Sequence, residues 1–120
     1  MQKRPAEDVH RFLPLSPVVF EILLALALED RHGYTILQEV ERRTEGGIVL
    51  HPGTLYRALS RLLDSGLVDE IEERPDPALD DERRRYYRLT TFGRKVVAAE
   101  VARLDDMVRA ARGTRALRRV

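Results

Sequence analysis

The sequence predicts a mainly α-helical domain with one small β-hairpin, and three observations carry that reading. Apolar residues recur at helical spacing in four stretches, near residues 17–28, 34–44, 52–65 and 91–112. Between the third and fourth the period changes to two, at 67–73 and 84–90, on either side of a loop that holds Pro75 and Pro77. Start and stop residues stand at the borders: Ser16-Pro17, Pro52, Gly66, Thr90 and Gly113.

Ser16 caps the first helix, Pro17 occupies its first turn, and Leu15 is placed to staple onto Phe20. Residues 18–28 are apolar on nearly every side, interrupted by Glu21, so this helix belongs at the centre of the domain. It falls far short of the ~20 apolar residues that a membrane span needs. Residues 29–33 read as a turn. The second helix, 34–44, faces inward with Tyr34, Ile36, Leu37 and Val40 and outward with Gln38, Glu39, Glu41, Arg42 and Arg43, and Gly46-Gly47 stops it. Ile48, Val49 and Leu50 form a short apolar bridge to the next element, long enough for one β-pairing or a tight turn.

The third helix has the sharpest borders, with Pro52 at a position where a missing N–H costs nothing and Gly66 at the left-handed stop. Leu55, Ala58, Leu59, Leu62 and Leu63 share one arc, while Thr54, Arg57, Ser60, Arg61 and Asp64 fill the opposite one. Two helices joined by a short connection, the second with an exposed face of Thr and Arg, outline a helix-turn-helix. In the hairpin that follows, Tyr87 and Leu89 point to one side and Tyr86 and Arg88 to the other. Thr90 caps the last helix, which runs to about Arg112. Val97, Val101, Leu104, Val108 and Ala111 recur along it at alternating steps of four and three, a seam about 21 Å long at 1.5 Å per residue. The spacing is closer to 3.5 than to 3.6, which favours a dimer seam over a helix packed only on its own domain. The expected organisation is an N-terminal arm at 1–15, a helix-turn-helix with a hairpin wing at 16–90, a dimerisation helix at 91–112 and a frayed basic tail at 113–120.

At 120 residues, one domain is expected. The chain has no cysteine, which excludes a disulfide framework or a thiolate zinc site and makes a cytoplasmic location the simplest expectation. His10, His32 and His51 lie in separate segments without metal-ligand spacing. No phosphate loop or nucleophile elbow occurs, so no catalytic residue, metal or cofactor is assigned and an enzyme is not expected. The net charge of +1 is mild, but charge is segregated. Residues 69–82 hold eight acids against Arg74 alone, with Asp76, Asp80, Asp81 and Glu82 toward the hairpin tip, whereas Arg83, Arg84 and Arg85 follow directly. An acidic tip would be repelled by phosphate, so it points away from nucleic acid or docks on the protein's own basic patches.

Three runs of residues resemble the PadR family of transcriptional regulators. They are His32-Gly33-Tyr34-x-Ile36; Pro52-Gly53-Thr54-Leu55-Tyr56-x-Ala58-Leu59-x-Arg61-Leu62-x-x-x-Gly66-Leu67-Val68; and Arg84-Arg85-Tyr86-Tyr87-x-Leu89-Thr90-x-x-Gly93. The resemblance spans roughly residues 16–112, and the Gly-Thr-Leu-Tyr start of the third helix is its specific part. It implies a homodimeric winged helix-turn-helix repressor of the short, single C-terminal helix type. The third helix would enter the major groove of double-stranded DNA, the wing would lie on the flanking backbone, and the last helix would join the subunits. Small phenolic or other hydrophobic effectors are implied as well. Carried over by position, Gly53, Thr54 and Tyr56 match the start of the recognition helix, Arg61 its basic position, and Arg84 and Arg85 the root of the wing.

Physical reasoning supports several of these roles. A helix start offers free N–H groups to phosphate, Gly53 permits close backbone approach, and the Tyr56 hydroxyl can reach a phosphate oxygen. Arg57 is assigned to a guanine edge on geometry alone. Arg42, Arg43, Arg83, Arg84 and Arg85 are assigned to phosphate positioning, while Ser60 and Asp64 lie too far along the helix for the groove. Two-fold symmetry implies a palindromic operator. The competing readings are a MarR-like regulator, against which the Gly-Thr-Leu-Tyr start argues, and a winged-helix protein-interaction module, for which the acidic wing argues.

Overall fold

Ser16 and Thr90 begin the two helices that frame the core, and they do so by the same chemistry. In the computed structural model, which describes residues 8–71 and 85–118, the Ser16 hydroxyl accepts from the Val19 N–H at 3.1 Å and the Thr90 hydroxyl from the Gly93 N–H at 2.8 Å. The helices are α1 (Pro17–Leu28), α2 (Gly33–Arg43), α3 (Pro52–Asp64) and α4 (Thr91–Arg112), with single 3-10 turns at Val9–Phe12 and Arg115–Leu117. Strands β1 (Arg31–His32), β2 (Val68–Ile71) and β3 (Tyr86–Leu89) form one antiparallel sheet in the order β1-β3-β2.

The core is aliphatic: Ile22 and Leu23 of α1, Ile36 and Val40 of α2, Leu55 and Leu59 of α3, Leu67, Val68 and Leu89 of the sheet region, and Val96 of α4 are all buried. Each such side chain contributes about 1.5–3 kcal/mol by leaving water. Leu15 and Phe20 both pack against this core. Helix α3 ends in paired reverse bonds, Leu67 N–H to the Leu62 carbonyl at 3.0 Å and Gly66 N–H to the Leu63 carbonyl at 3.2 Å, with Gly66 left-handed at φ 81°. That turn feeds β2 beside β3, where Val68 pairs Leu89 and Ile71 pairs Tyr86. Thr90 then binds the chain back on itself, donating its hydroxyl to the Gly66 carbonyl at 2.6 Å. Gly93 lies so close to the Leu67 carbonyl that a Cβ there would collide with it, which accounts for the Leu-Thr-x-x-Gly pattern.

Several expectations need correction. The segment 29–33 is more than a turn: Arg31 and His32 pair with Tyr87 and Tyr86 on the free edge of β3, and Gly33 already belongs to α2. A two-residue strand is too short to show alternation, so the hairpin's third partner left no mark on the pattern. On α2, Tyr34 is 62% exposed and Glu39 only 9% exposed, the reverse of the predicted facing. Tyr34 sits in the first turn, beyond the edge of the core, while Glu39 is drawn in by Arg42 and Arg31. The stop of α2 rests on Glu45 and Gly46, not on Gly46-Gly47: Glu45 is left-handed at φ 53°, and the Gly46 N–H bonds the Glu41 carbonyl at 2.9 Å. Residues 48–50 form no strand, and Leu50 alone of the three is buried. Val97, the first residue of the expected seam, is 9% exposed and belongs to the protomer's own core, since α4 packs on α1 and β3.

The described part of the arm is packed, not loose. Phe12 meets Phe92 edge to face with ring centres 5.6 Å apart, and the Leu15 N–H donates to the Glu100 carboxylate at 3.0 Å. Glu100 is almost wholly buried and also receives Arg103 at 2.6 and 3.0 Å. The Arg103 hydrogen bonds, helped by the Leu15 N–H and opposed by burial, hold the Glu100 carboxyl below the usual glutamate range.

Candidate nucleic-acid interface

Helix α3 turns Leu55, Leu59 and Leu62 into the core and leaves Gly53, Thr54, Tyr56, Arg57, Ser60, Arg61 and Asp64 exposed. Pro52 starts it, but the His51 side chain makes no capping hydrogen bond, so no side chain of the preceding residue occupies the first-turn N–H groups. At Gly53, an added Cβ would meet only the Arg57 guanidinium at 3.6 Å, an ordinary contact. Nothing inside the protein therefore demands glycine at this position, and the open surface is available to something outside it.

Tyr56 is placed differently. Its phenol lies against Gly33 at the start of α2, where a Cβ would come within 2.8 Å of the ring carbon Cζ and closer still to the hydroxyl. Gly33 is thus the recess that lets α3 sit against α2, which gives the His32-Gly33-Tyr34 run a packing role. Tyr56 remains 45% exposed, so its outer edge still faces solvent beside Thr54 and Arg57.

The arginines divide into two groups. Arg57 and Arg61 make no ion pair among the described residues. Arg42 and Arg43 are committed: Arg42 donates from Nε and Nη2 to Glu39 at 3.0 and 2.6 Å, and Arg43 donates from Nε to Glu21 at 2.6 Å with a second, shorter bond from Nη2. Both carboxylates are buried, so each guanidinium answers a demand from inside the protein. Hydrogen bonds from Arg42, opposed by burial and aided by the charges of Arg42, Arg31 and Arg43, hold Glu39 below the usual carboxylate range. Arg31 lies 3.9 Å from the same carboxylate and donates to the Ala25 carbonyl near the end of α1 at 2.8 Å.

At the wing, Arg85 pairs with Glu70 across β2 and β3 at 2.8 Å, and Arg88 with Asp30 at 3.1 Å. Arg83 and Arg84, like the acidic residues Asp76, Asp80, Asp81 and Glu82, lie outside the described residues. On α4, Val101 and Val108 are about half exposed, Leu104 and Ala111 half-buried, and Met107 is exposed beside them. The structure therefore gathers Gly53, Thr54, Tyr56, Arg57 and Arg61 on one surface, and it ties Arg42, Arg43 and Arg85 to acids. Tyr34, exposed at the start of α2 next to Gly33, is a surface group that helical facing alone places in the core. No group of His, Cys, Asp or Glu able to hold a metal occurs among the described residues, and no described helix is long and apolar enough to cross a membrane.

Residues 22–99 match the transcriptional regulator PadR-like family. The chain is 35% identical over 92 residues to transcriptional regulator Rv3488 of Mycobacterium tuberculosis, covering 77% of this chain and 79% of that protein. Among solved structures it is similar to the complex structure of hsRosR-S4, from H. salinarum RosR, with a TM-score of 0.65 and 28% identity, covering 95% of this chain and 87% of that one. It also shares the fold of Bacillus subtilis PadR in complex with operator DNA, at a TM-score of 0.62 and 18% identity over 73% of this chain and 48% of that one. That family is one of transcriptional regulators, not of enzymes, and the chain belongs to it.

Proposed function

We propose that this protein is a dimeric, cytoplasmic repressor that binds a palindromic operator through α3 and responds to a small hydrophobic or phenolic effector. The observation that carries the reading is the availability of Arg57 and Arg61 on the exposed face of α3, beside a glycine that the fold does not require. The first turn of α3 meets the backbone, and Arg57 reads a base edge one turn along. Arg61 and the wing root Arg84 and Arg85 add phosphate contacts, Arg85 by exchanging Glu70 for phosphate. Bacillus subtilis PadR, which shares this fold, is known in complex with operator DNA. The apolar, half-exposed run Val101, Leu104 and Val108 with Met107 supports pairing through α4, whose two-fold axis sets half-sites about one DNA turn apart or a multiple of it.

The test is a footprint of the purified protein on DNA upstream of its own gene, repeated across salt. Protection of a palindrome is expected, with affinity falling roughly a thousandfold or more between 50 and 200 mM salt if six or more phosphates are neutralised. Failure to shift any duplex at low salt, or a strictly monomeric protein at micromolar concentration, overturns the reading in favour of a protein-interaction module.

A further inference from the structure

Helix α1 presents more apolar surface than α2 covers. Leu24, Ala25 and Leu28 rise along one side of α1 with Glu21 at its foot, and Val40 of α2 faces them between Glu39 and Arg43. A cleft of about 210 Å³ remains between the two helices, and Leu28 at its rim is 65% exposed. Long charged side chains stand on either side of Val40. The Glu21–Arg43 pair bridges α1 and α2 and Glu39 is held by Arg42, so these long side chains flank the cleft, with the buried Val40 and Ala25 as its floor and Leu24, Ala27 and Leu28 as its open wall.

The chemistry of the walls restricts the occupant. Both carboxylates that line the cleft already have guanidinium partners, and no buried polar side-chain atom among the described residues lacks a hydrogen bond. The cleft therefore offers aliphatic surface without an unanswered charge. A cationic occupant would give up hydration with nothing to replace it, and an anionic one would meet only Arg43, whose charge Glu21 already answers. Apolar cavities of about 150 Å³ take up benzene, so this volume suits one ring with a short substituent.

We propose that the α1–α2 cleft is a binding site for one uncharged, compact hydrophobic molecule of single-ring size. The site lies within one protomer, between α1 and α2, and its occupancy does not depend on whether the protein binds DNA. Arg43 spans its edge, so that occupancy is felt by the Glu21–Arg43 bridge that fixes α2 on α1.

Three probes that share a ring separate the possibilities: toluene, benzoate and benzylammonium, each titrated into the full chain while the methyl groups of Leu24, Leu28 and Val40 are followed by NMR. Toluene is expected to shift all three saturably, with benzoate and benzylammonium at least roughly tenfold weaker because their charge must leave water. Ala27 lines the cleft yet is exposed, so Ala27→Phe closes the mouth without disturbing the core and is expected to abolish the toluene shifts. Equal binding of the three probes, absence of saturable shifts, or toluene shifts that persist in Ala27→Phe overturns the proposal.

Discussion

Helices α2 and α3 each carry two arginines on an outer face, and the two pairs differ in what they are free to do. Arg42 and Arg43 close on Glu39 and Glu21, while Arg57 and Arg61 have no acidic partner among the described residues. All four look alike as surface charge. The difference is set by what lies beneath: α1 and α2 bury a carboxylate each, and a buried carboxylate requires a cation, whereas α3 buries only leucines toward the same core. Counting basic residues on a helix-turn-helix thus overstates the charge that phosphate can use.

The largest effect that separates the pairs is on DNA. Arg57→Ala is expected to reduce discrimination between operator and scrambled duplex by roughly tenfold or more, the worth of a bidentate base contact, with thermal unfolding unchanged. Equilibrium binding to both duplexes measures it, and an equal loss on both would make Arg57 a phosphate contact instead. Arg43→Ala should act in the opposite sense. It leaves Glu21 buried and unpaired, so the melting temperature is expected to drop by roughly 5 °C or more while operator affinity of the folded fraction is retained. A variant that melts normally but binds DNA weakly would return Arg43 to the interface.

Between the two helices stands Gly33. Gly33→Ala pushes the Tyr56 phenol aside, and because Tyr56 as a whole is 45% exposed the side chain can swing outward there. Unfolding should change little, with operator affinity lowered roughly 2- to 10-fold, about one hydrogen bond's worth. Unchanged affinity would mean that Tyr56 serves packing alone. The smallest effect is on the acid limb of stability. Glu39 and Glu100 hold their carboxyls below the usual range in the folded protein, so the unfolded chain binds more protons as pH falls. Their contribution is fully present above the ordinary glutamate value near 4.3 and is lost as pH drops through the lowered folded values. Denaturant midpoints of Glu39→Gln and Glu100→Gln should therefore depend less on pH than wild type below about pH 5, and an unaltered slope would contradict the clamp assignment.

Much of this was legible in residue order. Ser16, Pro17, Pro52, Gly66 and Thr90 mark their elements correctly because caps and stops are local chemistry, decided within four residues. The inward leucines of α3 and the alternation of Tyr87 and Leu89 with Tyr86 and Arg88 hold for the same reason: periodicity reports which side is buried when one side is plainly apolar. Strand β1 was not legible, since its two residues pair only because β3 offers a free edge. Glu39 was misplaced because nothing in its helix announces that Arg31 and Arg42 converge on it, although the Glu39–Arg42 spacing of three is a signal for one half of that pairing. The Glu21–Arg43 pair joins residues 22 apart and has no local signature.

The sequence by itself determined the order of elements, where each helix begins and ends, and which face of α3 looks outward, because each of these follows from interactions among near neighbours. Only the tertiary structure decided which arginines remain available, why Gly33 faces Tyr56 and Gly93 faces Leu67, and that Val97 serves the protomer's own core. Those outcomes depend on which buried charge or backbone atom comes to lie opposite a residue, and that partner is set by packing between elements distant in the chain.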